Sequence, residues 1–440
     1  MQAYFYALAE FLQSRIKVSE QFTCWFSAED SDFVRFNHGA IRQPGHVHQI
    51  YLTMKLISGM RHANSTTSLG GDLDADKANL ESLIEGLREQ LPSLPEDPHL
   101  LISTEVCSTE SIVPSLLPAI TAIVDEILTM AGAYDFVGIL ASGPIFRGFA
   151  NSYGQRNWHE ISCFNLDWSL YQSQDKAVKT AYAGFEWDSV TFQEKFRAAT
   201  LQLEILKQAP VTLKLGAYRA YLTPSAFAEV IGMLNWDGFS EKSLRTKQSS
   251  LRRMRDEMLQ LNPAITLSEH ISGGLAPGFQ GEGFIKPEQV TLFDRGRLSS
   301  SMISPRTARE YGTTHNGANG SETMTSIQVE GGDLSMSMIL KELDTGIFIS
   351  NLWYLNYSDR SNCRMTGMTR FATFWVENGR IKAPLNVMRF DDSLFLLLGE
   401  NLLGLTCERE LLIDNESYGQ RGSNSTYLPG ALVKNLNFVL

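Results

Sequence analysis

The 440-residue sequence predicts an α+β protein: small N-terminal sheet-plus-helix units followed by a large, strand-rich C-terminal domain. Three observations carry this. Helical periodicity is concentrated in a few segments of the first half; runs of alternating hydrophobicity are punctuated by Gly and Asn; and LPSLPEDPHL, with three prolines, interrupts the chain near residue 100. Hydrophobic residues make up 43% of the sequence, enough at this length to bury two or three cores.

The opening MQAYFYALAEFLQSRIKVSEQF carries Glu10 inside its apolar stretch and lacks a basic leader or small-residue cleavage site, so it reads as an amphipathic helix and not an export signal. FTCWFSAEDSDFVRFNHGAIRQ reads as two strands around a turn at Asn37, His38 and Gly39, and IYLTMKLISGMR adds a further strand by alternation. Asp76 opens a helix whose Leu80, Leu83, Ile84, Leu87 and Leu91 recur on one face and cover that sheet.

Beyond the prolines, PAITAIVDEILTMAGAY is a second helix and the segment from FVGIL to AGFEW a run of strands. TFQEKFRAATLQLEILKQAP is a long helix with Phe192, Phe196, Ala199, Leu203 and Leu206 on its buried stripe, ending at Pro210. The expected units are therefore residues 1–100, 101–212 and 213–440. Within the last, a short helix begins at Pro224, and FWVENGRIKA is a hairpin around Asn378-Gly379, because both central residues of a type I′ turn need positive φ.

Charge excludes one class of partner. With 38 Lys+Arg against 49 Asp+Glu and a formal net charge of -11, the chain offers no broad electropositive surface for a phosphate backbone, so nucleic acid is not expected. LLPAITAIVDEILTM and SLFLLLGENLLGL are broken by acids before the roughly 20 residues a membrane crossing needs, and a cytoplasmic protein is expected. Cys24, Cys107, Cys163, Cys363 and Cys407 form no CxxC pair and read as reduced structural thiols.

Self-contained catalytic motifs are missing: there is no HExxH, no GxSxG, no GxGxxG after a strand and no P-loop. His46 and His48 share one strand face, which permits a metal, but no third ligand is near, and hydrogen-bonded histidines explain them more simply. Glu269 and His270 are adjacent and so not co-facial, which suits a loop or cap. Arg245, Lys247, Arg252, Arg253 and Arg255 interleave with Asp256 and Glu257 as a solvated helix face does. Trp353, Tyr354, Tyr357, Phe371, Phe374 and Trp375 lie on strands, where core packing competes with a peptide-binding wall. Nothing in the sequence pairs Cys363 with His315 as new catalytic groups.

The segment from GIFISNLWYLNYSD to APLNVMRF, above all TGMTRFATFWVENGRI at 366–381, resembles the C-terminal domain of the TldD/PmbA metallopeptidase family. FVRFNHGAI, FRGFANSYGQ, FQGEGF and the terminal YGQRGSNSTYLPGALVKNLNF extend the resemblance over nearly the whole chain. Active members of that family carry an HExxxH helix, whose two histidines hold zinc together with a cysteine nearer the C-terminus, and whose glutamate serves as base. The matching helix here is TPSAFAEVIGML, with Thr223 suited to the N-cap, Pro224 to the first helical position, and Phe227, Val230, Ile231 and Leu234 to a buried stripe.

Laid on that helix, the motif keeps Glu229 but meets Ala228 and Met233 where the histidines belong. Gly232 is either a relic of the ligand geometry or a packing glycine. Tyr418 of YGQRG stands where the cysteine belongs. Alanine offers no donor and methionine is a poor zinc ligand.

The resemblance thus implies four degenerate positions, Ala228, Glu229, Met233 and Tyr418, with no catalytic residue and no metal or cofactor in this chain. Two functions follow. One is a non-catalytic TldE-like subunit whose TldD-type partner carries the zinc, the pair cleaving small or unfolded peptides and offering a sheet edge to extended ones. The other is a homodimeric peptide-binding or scaffold protein of the same fold.

Overall fold

Long antiparallel strands set the architecture of the computed structural model, which describes residues 1–173, 176–415 and 419–440. The first sheet has seven strands: β1 (Glu20–Asn37), β2 (Ala40–Ser58), β3 (Arg61–Leu69), β4 (Thr109–Ile112), β5 (Asp135–Asn151), β6 (Arg156–Ser173) and β7 (Lys176–Gly184). They run in the order β3-β2-β1-β5-β6-β4, with β7 also paired to β6. IYLTMKLIS is not a separate strand but the second half of β2, because the ladder with β1 continues from Asn37↔Ala40 to Glu20↔Ser58 through one bulge.

The division expected at residue 100 does not interrupt this sheet, since β1 bonds β2 along one edge and β5 along the other. The proline-rich segment leaves the sheet and the chain returns to it. Helices α1 (Gln2–Arg15) and α2 (Leu73–Gln90) pack over one core, with Phe5, Leu8 and Leu12 against Phe22, Phe26, Leu80, Ile84 and Leu87. Asp72, not Asp76, caps α2, accepting from the backbone of Asp74 and Ala75. Asp76 is 1% exposed and ties helix to loop by accepting from the Gly70 and Gly71 amides, both at 2.9 Å, and from the Tyr4 hydroxyl.

Helices α3 (Ile120–Ala131) and α4 (Ser189–Leu206) cover a second core around Phe136 and Trp168. The stripe expected on α4 is the one buried, and Asp188 caps the helix. Ala372 and Phe374 of the C-terminal sheet join this core, so the two sheets share packing.

The second sheet has eleven strands: β8 (Gly216–Leu222), β9 (Leu267–His270), β10 (Gln289–Asp294), β11 (Arg297–Leu298), β12 (Ser326–Val329), β13 (Gly346–Asp359), β14 (Arg364–Glu377), β15 (Arg380–Pro384), β16 (Arg389–Ser393), β17 (Leu402–Ile413) and β18 (Ser425–Phe438). Because β18 bonds both β16 and β8, the strands β18, β16, β14, β13 and β8 close a ring. The turn between β14 and β15 has φ of 51° at Asn378 and 70° at Gly379, as a type I′ hairpin requires. Helix α5 (Pro224–Leu234) lies in the largest core, against β13 and β18. No helix among the described residues is long and apolar enough to cross a membrane.

Candidate functional site

Helix α5 is specified locally and then aimed by packing. The Thr223 hydroxyl accepts from the Ala226 amide at 3.3 Å and donates to the Ser350 carbonyl at 2.6 Å, so one side chain caps the helix and pins it to β13. Phe227, Val230, Ile231 and Leu234 are buried as the periodicity requires. At the other end, the Asn235 amide donates to the Met324 carbonyl at 2.9 Å while its oxygen accepts from the Met324 amide at 2.7 Å. The burial of one face leaves Ala228, Glu229 and Gly232 turned the other way.

That outward face lines a cleft of about 490 Å³ between the two sheets. Its opposite wall comes from Asn165 and Asp167 of β6 and from Lys179, Thr180 and Ala181 of β7. Asn351 and Leu355 of β13, Leu412 and Ile413 of β17, and Ser425 and Thr426 of β18 complete it. Lys179 Nζ lies 3.2 Å from Asp167 Oδ2, and the Asn415 amide donates to the same oxygen at 2.7 Å. The cleft walls partly shield Glu229, which remains exposed, and this shielding raises its carboxyl pKa above the ordinary 4.5, an effect Lys179 partly opposes.

Gly232 faces open space: a Cβ built there meets nothing within 4 Å, so the packing explanation for this glycine fails. Met233 is turned inward and is 2% exposed. Tyr418 lies outside the described residues. The segment after it is anchored to the first sheet, with the Arg421 guanidinium donating to Ser31 Oγ, to the Gly143 carbonyl and to the Cys163 carbonyl at 3.0–3.1 Å.

The other candidates have local explanations. His46 bridges Asp30, at 2.7 Å, and Asp32, at 3.0 Å, on the β1–β2 ladder; these carboxylates raise its pKa, the hydrogen bond it donates to Asp32 foremost. His48 stands 3.6 Å from Asp30. Glu269 ties β9 to β12 by accepting from the amides of Thr325 and Ser326, both at 2.9 Å. Arg245, Arg252, Arg253 and Arg255 pair with Glu241, Asp256 and Glu257 on and around α6 (Glu241–Arg245) and α7 (Arg252–Asp256). Burial pushes the Cys363 thiol up to about 12, and His315 packs against Phe284, so neither has the other as a partner.

The aromatic strand residues depart from simple alternation. Phe374 is buried, but Trp353 and Tyr354 are exposed, Tyr354 at 74%, because a bulge after Trp353 puts Tyr354 at φ 57° and breaks the period of two. Arg370 stacks on the Trp353 ring at 4.0 Å to its centroid. Asp167, Lys179 and Trp236 escaped sequence reading as site residues, since nothing near them in the chain marks a cleft.

The family model of the PmbA/TldA metallopeptidase C-terminal domain matches residues 215–439, just over half the chain. The chain belongs to the PmbA/TldD family. "Metalloprotease PmbA" of Escherichia coli O157:H7 is 28% identical over 125 residues, a match spanning 28% of this chain and 26% of that relative's length. Over 99% of the chain the structure resembles TldE from Thermococcus kodakarensis, of which all is covered, at a TM-score of 0.79 and 14% identity. A putative modulator of DNA gyrase from Bacteroides thetaiotaomicron is similar over 99% of this chain and 98% of its own, with a TM-score of 0.75 and 14% identity. At that identity the structural likeness establishes a shared fold.

Membership of the PmbA/TldD family raises zinc, and the donors on α5 do not fit it. Ala228 supplies none, Met233 is buried and offers only a thioether, a poor zinc ligand, and Glu229 is a lone carboxylate. Among the described residues, no three of His, Cys, Asp and Glu are grouped to hold a metal.

Proposed function

We propose that this PmbA/TldD-family chain is a non-catalytic, TldE-like subunit of a cytoplasmic heterodimeric peptidase acting on small or unfolded peptides. Its TldD-type partner supplies the zinc, and this subunit supports the partner and helps hold the peptide. One observation carries the reading: α5 keeps its cap, its buried stripe and its position on a cleft, while Ala228 and Met233 stand where the family's histidines belong. The fold has been retained around a position whose donors cannot bind the ion.

Strand edges support the peptide-holding part. Among the described residues β7 is paired through β6 alone, and β17 is paired through β18 except at Leu405–Cys407, where residues 332–334 bond its other edge; both strands line the cleft. Unpaired edges of this kind accept an extended chain as an added strand.

The test uses the purified chain alone and after mixing with a TldD-type chain bearing an intact HExxxH. Chelator-sensitive cleavage of an unfolded peptide is expected only in the mixture; the same activity from the isolated chain refutes the proposal. The second reading, a homodimeric peptide-binding protein, draws on the same two strand edges. It is favoured instead if the chain purifies as a self-associated dimer that binds peptide and captures no zinc-bearing partner.

A further inference from the structure

We propose that the cleft beside α5 receives a cationic side chain of a bound peptide, lysine or arginine, with Glu229 as its counter-charge. The inference rests on the peptide-binding part of the function proposed above. Three carboxylates, Asp167, Glu229 and Asp414, and one ammonium, Lys179, line the cleft, so its fixed charge is acidic. The ammonium is already committed, because Lys179 and the Asn415 amide both engage Asp167.

Glu229 is placed differently. It makes no hydrogen bond or ion pair with any described residue, and it stands on a rigid helix held at both ends by Thr223 and Asn235. A carboxylate on the cleft wall that is left without a partner is free to take up a cation brought into the cleft through a charge-assisted hydrogen bond.

The remaining walls select the kind of cation. Met324, Ile327, Leu355 and Leu412 give the cleft apolar sides, and Trp236, 51% exposed, places an indole at its border. Apolar walls ending at a carboxylate match an aliphatic stem with a cationic head, and an indole face adds attraction for the same charge. A bare metal ion is poorly served, because one carboxylate without further grouped donors leaves it undercoordinated.

Binding to the purified chain, or to its complex with the catalytic partner, is measured by calorimetry with acetyl-Ala-Ala-Lys-Ala-Ala-amide, the same peptide with norleucine replacing lysine, and spermidine. The lysine peptide is expected to bind at least about tenfold tighter than the norleucine peptide. Glu229→Gln is expected to erase that difference and leave the norleucine affinity unchanged, which also reports an intact cleft. Glu229→Asp, which keeps the charge but draws it back, is expected to retain part of the preference.

Equal affinities for the two peptides on the wild-type chain overturn the cationic subsite while leaving peptide binding in place. Failure of both peptides to bind overturns subsite and peptide binding together. Spermidine binding more tightly than the lysine peptide overturns the peptide as the source of the cation and assigns the cleft to a free polyamine.

Discussion

Arg147 donates through Nη2 to the carbonyl oxygen of Arg421 at 2.9 Å, joining two buried arginines 274 residues apart. Burial lowers the Arg147 pKa to about 10, with Glu29 partly offsetting the cost. Glu29 also accepts from the Arg421 amide at 3.3 Å, so one carboxylate serves both. The pair fastens the segment after residue 418 onto β1, β5 and β6, and so fixes one end of the cleft.

Replacing Arg421 removes donors from Ser31, Gly143 and Cys163 and leaves a cavity in their place. Arg421→Ala is expected to cost about 2–4 kcal/mol of stability, from unpaired acceptors and lost packing together. Arg421→Lys recovers only part, because an ammonium cannot reproduce the planar fork. Denaturant midpoints of the three proteins decide this, and a loss under about 1 kcal/mol for the alanine variant would show the cluster to be dispensable.

Gly232 gives the opposite sign. With nothing within 4 Å of the Cβ it would gain and a position inside α5, Gly232→Ala is expected to stabilise the protein by about 0.5–1 kcal/mol through helix propensity. A fall in the unfolding midpoint would overturn this expectation.

Gly430 sits where a methyl group would overlap the Tyr221 hydroxyl inside the C-terminal sheet. Gly430→Ala should cost about 1–3 kcal/mol by overpacking. Tyr221→Phe in the same chain removes the obstructing oxygen and should return part of that loss, so a double-mutant cycle with no coupling speaks against this contact.

The raised Glu229 carboxyl ties stability to pH. Between its unfolded value, ordinarily 4.5, and its higher folded value, the native state binds more protons than the unfolded state, so stability falls as pH rises through that window. Glu229→Gln should flatten the profile there. Urea midpoints taken from pH 4 upward provide the measurement, and superimposable profiles for the two proteins would contradict it.

Much of the helical architecture was legible from neighbours in the chain. Thr223 with Pro224 starts α5, the spacing of four and then three residues between Phe192, Phe196 and Ala199 buries α4, and Asn378-Gly379 turns a hairpin, because caps, periodicity and positive φ are properties of a few adjacent residues. Local reading also reached its limit locally. Asp76 has the composition of a helix start, yet Asp72 is the cap, and Asp76 is buried because the Gly70 and Gly71 amides and the distant Tyr4 hydroxyl all donate to it.

The sequence by itself determined the family, the cap and buried stripe of α5 and the mixed α+β composition. Tertiary structure alone decided that β1 and β5 pair across the expected boundary, that Trp353 and Tyr354 turn outward at a bulge, and that Glu229 of α5 faces Lys179 of β7 across a cleft. The reason is physical. A cap or a turn is fixed by torsion angles of adjoining residues, whereas strand partners and cleft walls are chosen by contacts between segments far apart in sequence, whose identities no local pattern encodes.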